Sequence, residues 1–204
     1  MRQRGRPRKT AQERDDGNRR QALINAAARL FRDKGFAATS TRDIAAAVGM
    51  YSGSPFYHFS SKDALLYAVM EAGMHAALGR QAAALQAAPE ATAVQQLRRL
   101  VRAHFETLLG PGNDFIPVML FESRTLQPDQ RAALGELQGS YEAAWMPVLQ
   151  ALHADGHLRA PVPLARLLIL GALNWSVQWF DRAGPATLDD LTEAALMLFL
   201  KDVS

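Results

Sequence analysis

The chain has 204 residues, 49% of them apolar, and a formal net charge of +3. This suits one large domain, or a small domain joined to a larger one, with enough apolar side chains for a sizeable core. It contains no cysteine, which excludes disulfides and thiolate metal sites and accords with a reducing cytoplasm. With no run of about 18 uncharged apolar residues and no apolar segment behind the basic start, neither a membrane span nor a secretory signal is expected, and the protein is read as cytoplasmic.

The charge is unevenly placed. Residues 1–50 hold 12 Lys/Arg against 5 Asp/Glu, whereas the rest hold 11 against 15, so the N-terminal quarter is suited to meeting a polyanion. Residues 1–17 are polar and aperiodic and read as a basic flexible arm. Within it Arg4, Arg6 and Arg8 alternate with Gly5 and Pro7. Such a slim tract fits a narrow minor groove, whose negative potential draws arginine.

Leu23, Ala27, Leu30 and Phe31 share one face of a predicted helix from an Asn18 cap to Lys34, ended by Gly35. Ser40 with Asp43 makes a capping box for a short second helix ended by Gly49, and Ser60 with Asp63 makes another for a long helix of residues 61–88. Between them Tyr51 to Phe59 mixes Ser, Gly and Pro with four aromatic rings, a composition that suits a contact surface better than a core. If this run is helical too, the order is helix, tight turn, helix. Pro55 lacks an N–H and so belongs in the first turn, which points to Ser52 as its cap. Further helices are expected over 92–109 from a Thr92 cap, 115–125, 128–155 with a bend at Pro147, 163–183, and 187–201 from a Thr187/Asp190 capping box. The fold class is all-α: an N-terminal three-helix helix-turn-helix domain over 18–60, then a larger helical bundle over 61–204.

The residues Ala26–Phe31, Gly35-Phe36, Thr41–Ala45, Gly49, Gly53, Phe56–Phe59 and Ser61–Leu66 resemble the TetR family of bacterial transcriptional regulators. The resemblance implies a homodimer that binds operator DNA through its N-terminal domain and holds a small-molecule effector in its C-terminal bundle. Carried over by position, the DNA contacts would be Thr41, Arg42, Tyr51, Ser52, Gly53, Ser54, Tyr57, His58 and Lys62, beside Arg4, Arg6 and Arg8 of the arm. Ile44, Ala45, Val48, Phe56 and Phe59 would form the small core. Ser52 stands where the family often has lysine, Phe56 where tyrosine is frequent, and Pro55 where an aliphatic residue is usual.

The bundle is rich in rings and thioethers, most of them expected in its core. A ligand site is expected among Met70, Met74, His104, Phe105, Met119, Arg124, Trp145, Asn174, Trp175 and Gln178, with Asn174 as the polar group in an otherwise apolar helix. The segment Leu173–Phe180 is similar to one in TetR-family regulators of fatty-acid or sterol breakdown, which implies a bulky hydrophobic or acyl-CoA-like effector. The alternatives are an amphipathic compound with an efflux gene as target, or no inducer at all. Residues 163–183 and 187–201 are expected to carry the dimer contact. No metal site, cofactor or catalytic set is expected: His153 and His157 straddle the helix stop at Gly156, and no nucleophile elbow or glycine-rich phosphate loop occurs.

Overall fold

Helix α1 (Ala11–Lys34) opens the computed structural model, which describes residues 11–50, 55–110 and 114–201. The helix begins at Ala11, ahead of the expected Asn18 cap, and so takes residues 11–17 out of the expected arm. Gln12, Glu13 and Arg14 are good helix formers, and Glu13, Asp15 and Asp16 lie in the early turns, where the helix dipole favours anions. Next come α2 (Thr41–Ala47), α3 (Pro55–His58) and α4 (Lys62–Gln86). Pro55 is the first residue of α3, where its missing N–H costs nothing. Tyr51, Ser52, Gly53 and Ser54, the expected Ser52 cap, the Phe56 side chain, and Arg4, Arg6 and Arg8 lie outside the described residues.

Two compact units are present, Met1–Val69 and Met70–Ser204. Their division falls inside α4, whereas the expected boundary stood between residues 60 and 61. In the first unit Leu23, Ala27 and Phe31 of α1, Ile44 and Ala45 of α2, Phe59, and Leu65 and Leu66 of α4 form the core. Val48 is half-buried. Phe31 meets Phe36 edge to face at 5.2 Å, the geometry favoured by the ring quadrupoles. The cap of α4 is Ser61 and not Ser60, since the Ser61 Oγ accepts from the Ala64 N–H at 3.0 Å. Gly49 adopts φ 68°, a left-handed value that side chains resist; it closes the turn after α2.

The second unit is built around α5 (Ala93–Leu109), whose expected Thr92 cap is present, as one half of a capping box with Gln95. It packs against α6 (Phe115–Glu122), α8 (Met146–Ala154), α9 (Val162–Trp175) and α10 (Leu188–Phe199). Leu97, Leu100, Trp145, Leu149, Leu152, Ile169 and Leu196 are almost fully buried. Gly73 of α4 lies so close to Phe115 that a Cβ there would enter its ring, so a side chain at position 73 would push α6 off α4.

Several expected helices are shorter or divided: the one expected over 61–88 is Lys62–Gln86, and the one over 115–125 gives way after Glu122 to a 3-10 turn, Ser123–Thr125. The expected 128–155 helix is two, α7 (Pro128–Ala143) and α8, with Trp145 between them. Pro147 cannot donate to the Ala143 carbonyl and its ring crowds it, so the ladder breaks there and does not merely bend. Helix α9 stops at Trp175, where the Ser176 Oγ donates to the Leu173 carbonyl at 2.7 Å and a 3-10 turn, Ser176–Gln178, follows. Helix α10 keeps its Thr187/Asp190 box but ends at Phe199, after which the Lys201 N–H leaves the ladder for the His157 carbonyl. Among the described residues all regular structure is helical.

Candidate functional site

In the first unit, the Ser40 Oγ accepts from the Asp43 N–H at 3.1 Å and the Asp43 carboxylate accepts from the Ser40 N–H at 2.9 Å. The Ser40 N–H first, and then the Ser40 hydroxyl, which donates to the same carboxylate at 2.7 Å, hold the Asp43 carboxyl below its ordinary value, so α2 keeps its anionic cap at neutral pH. The box sets the start of α2, from which Thr41, half-buried, and Arg42, exposed, project.

Tyr57 is 82% exposed although Phe59, two residues on, is 6% exposed. A large ring left in water on a four-residue helix contributes nothing to the core, so Tyr57 does not shield it. The ring stands edge-on to half-buried His58 at 5.3 Å. Of the residues expected at DNA, Tyr57 and Arg42 are thus exposed, and Thr41 and His58 are half-buried.

Lys62 behaves differently from the expectation. Its Nζ donates to the Phe36 carbonyl at 2.8 Å and to the Thr39 carbonyl at 3.0 Å, and lies 4.2 Å from the centre of the Phe36 ring. The ammonium is thus a clasp on the loop between α1 and α2. A lysine two residues from a capping serine reads as a phosphate contact in sequence; only the fold brings residues 36 and 39 to it.

In the second unit, a cavity of about 70 Å³ lies among α4, α5, α6, α7 and α9. Its walls are mainly apolar, with His104, Thr107, Gln138, Tyr141, Glu142 and Asn174 as the polar lining. His104 is 5% exposed; its Nε2 is 3.2 Å from the Asn174 Oδ1 and its Nδ1 is 2.8 Å from the Tyr141 hydroxyl. An amide oxygen only accepts, so Nε2 carries the proton and the tyrosine donates to Nδ1. Burial pushes the imidazole down to about 4, with the Asn174 bond opposing, so the ring is neutral at pH 7. Burial also pushes the Tyr141 hydroxyl up, which keeps it a donor. The Trp145 ring meets His104 edge-on at 5.8 Å. Its indole N–H is close enough to favour the ionised Tyr141 slightly, yet falls short of a hydrogen bond with it, and this buried donor has no partner among the described residues.

Of the expected ligand residues, the fold brings Met74, His104, Met119 and Asn174 together in the cavity wall. Met70, Phe105 and Trp145 are buried outside its lining, and Arg124, Trp175 and Gln178 are solvent-exposed. The sequence reading missed Thr107, Gln138, Tyr141 and Glu142 as lining residues. A signal existed: Gln138, Tyr141 and Glu142 recur at i, i+3, i+4, one face of α7. It pointed to a face without saying what the face meets.

Two family models match the chain: "Bacterial regulatory proteins, tetR family" over residues 23–69 and "Tetracyclin repressor-like, C-terminal domain" over residues 90–203. The HTH-type transcriptional repressor KstR2 of Rhodococcus jostii is 29% identical over 185 residues, covering 89% of each chain. Among solved structures, superantigen PfiT is 38% identical with a TM-score of 0.75, over 90% of this chain and 96% of that one. AibR in complex with isovaleryl coenzyme A and operator DNA is 25% identical with a TM-score of 0.80, over 89% of this chain and 97% of that one.

Proposed function

The chain belongs to the TetR family of bacterial regulators, which are DNA-binding transcriptional regulators and not enzymes, and from that premise we propose how this member works. It is a repressor that binds a palindromic operator as a homodimer and lets go when a hydrophobic or acyl-CoA-like effector enters the second unit. It acts in the cytoplasm; among the described residues no helix is long and apolar enough to cross a membrane. The observation that carries the reading is the closed polar cluster of His104, Tyr141 and Asn174 at the wall of an otherwise apolar cavity. This is the build of a small-molecule site, apolar walls with a few oriented polar groups. The isovaleryl coenzyme A bound in the AibR complex, an acyl-CoA, and the Leu173–Phe180 segment support the effector class.

A cavity of about 70 Å³ holds only a few atoms, so an effector must part the helices around it. Met74 and Ala77 of α4 are in its wall, and α4 is one continuous helix from Lys62 to Gln86. A ligand that displaces Met74 turns this helix, and its other end follows. The ligand need only favour the turned state over the DNA-competent one, by about 1–3 kcal/mol. Footprinting on DNA flanking the gene tests the reading: protection of one short palindrome, relieved by effector, is expected, and uniform coating of DNA would contradict it.

The arm supplies affinity in this account. Deleting residues 1–9 removes five positive charges. If about three arginines displace counterions, the slope of log affinity against log salt falls by about 2.7. Filter binding between 50 and 300 mM salt, roughly the range in which such slopes are read, measures it; an unchanged slope would remove the arm from the interface.

A further inference from the structure

Asn174, Leu170 and Arg166 follow one another four residues apart on α9, a row about 12 Å long on one side of the helix. Asn174 and Leu170 line the inner cavity, and Arg166 lines an open outer cleft of about 340 Å³. Glu142 of α7 lines both. Its carboxylate is ion-paired with the Arg166 guanidinium, and the two side chains are only 26% and 22% exposed. The ion pair therefore stands where the cavity meets the cleft.

Resting on the cavity reading above, we propose that Arg166 is the binding site for an anionic group on the effector, and that Glu142 is an internal competitor which latches the cavity shut. The effector is then an elongated, mostly apolar molecule with an acidic end, which reaches Arg166 by displacing the Glu142 carboxylate. A guanidinium this far out of water needs a counter-anion, so the latch opens only when another anion takes the place of Glu142. Its planar fork accepts carboxylate and phosphate oxygens equally well. A neutral molecule can accept its hydrogen bonds but brings no counter-charge. Gly139, on the same wall of the cleft, would place a Cβ in open space, with nothing within 4 Å, so the approach to Arg166 is unobstructed there.

The test is calorimetric titration of the full chain with octanol, octanoate and octanoyl-CoA. Octanol reads the inner cavity alone, octanoate adds a carboxylate, and octanoyl-CoA adds phosphates. With Glu142→Gln the affinity for at least one anionic probe should rise tenfold or more while octanol stays within twofold; which probe responds identifies the acid. With Arg166→Gln the same probe should weaken at least tenfold. Gly139→Leu fills the cleft without touching either charge and should weaken the anions while sparing octanol. If octanol binds and the ratio of anion to octanol affinity stays within twofold in all three variants, the latch is overturned and the cavity reading stands. If no probe binds any variant, both are overturned.

Discussion

Leu198→Glu is expected to convert the proposed homodimer to monomers and to lower operator affinity by at least ~100-fold, the scale on which two linked binding modules exceed one. Leu198 is 81% exposed, and it is not alone: Leu164, Leu167, Leu168, Trp175, Trp179 and Met197 are each more than half exposed. All lie on α9, on α10 or just after α9. Scattered apolar residues on a surface need no explanation, but a concentration on two helices marks a surface that is covered in use. In a two-fold interface residue 198 occurs twice, so the substitution buries two carboxylates, each costing several kcal/mol unless it finds a partner. Operator affinity falls with the dimer because two recognition elements must enter the groove about 34–36 Å apart to read both half-sites. Sedimentation velocity should show half the wild-type mass with an unchanged helical spectrum; an intact dimer would remove α9 and α10 from the interface.

Mild acid is expected to weaken the fold by about 2 kcal/mol between pH 6.5 and 5, and by roughly 3 kcal/mol in all, through His104 alone. Its folded value of about 4 lies below the ordinary 6.5. The unfolded chain therefore takes up a proton between those values that the folded chain refuses. Stability from this group is full above pH 6.5 and is lost as the pH falls toward 4. Asp43 and Asp190, whose carboxyls are held low by their capping bonds, lose that contribution only as the pH falls below the ordinary carboxylate value. Urea unfolding at pH 6.5 and 5 measures the loss, and His104→Gln should remove most of the difference between the two. An equal pH dependence in that variant would mean that His104 is hydrated and not enclosed.

The start-and-stop chemistry of the helices was legible where a side chain acts on its own neighbours. The Ser40/Asp43 and Thr187/Asp190 boxes and the Thr92 cap are all present, because a cap needs only residues three apart. Asn18 failed as a cap because an asparagine marks a helix start only if the residues before it are poor helix formers, and Gln12 to Arg14 are not. Pro147 was read as a bend, yet α7 ends four residues before it, where a proline removes the bond partner. The candidate cavity was half legible. Asn174 stood out as a polar group in an apolar helix, and His104 was a further polar candidate behind it. Tyr141 did not, because a tyrosine in a bundle ordinarily reads as core; its hydroxyl matters here only because His104, 37 residues away in sequence, comes within 2.8 Å of it. Arg124 and Trp175 misled for the opposite reason. Residue type proposed a ligand contact, and the fold leaves both side chains outside the cavity lining, exposed on the single chain.

That one unit reads DNA while the other senses a ligand is tested most directly by titrating operator DNA with two variants, each with and without octanoyl-CoA. Asn174 holds the neutral His104 ring in place at 3.2 Å, whereas Tyr57 is 82% exposed on α3. Asn174→Leu should bind operator within twofold of wild type but need at least ten times more effector for release, a coupling change of about 1.4 kcal/mol. Tyr57→Ala should lose operator affinity and keep the wild-type affinity for effector. Release of the Asn174→Leu protein from operator at the wild-type effector concentration would contradict the account.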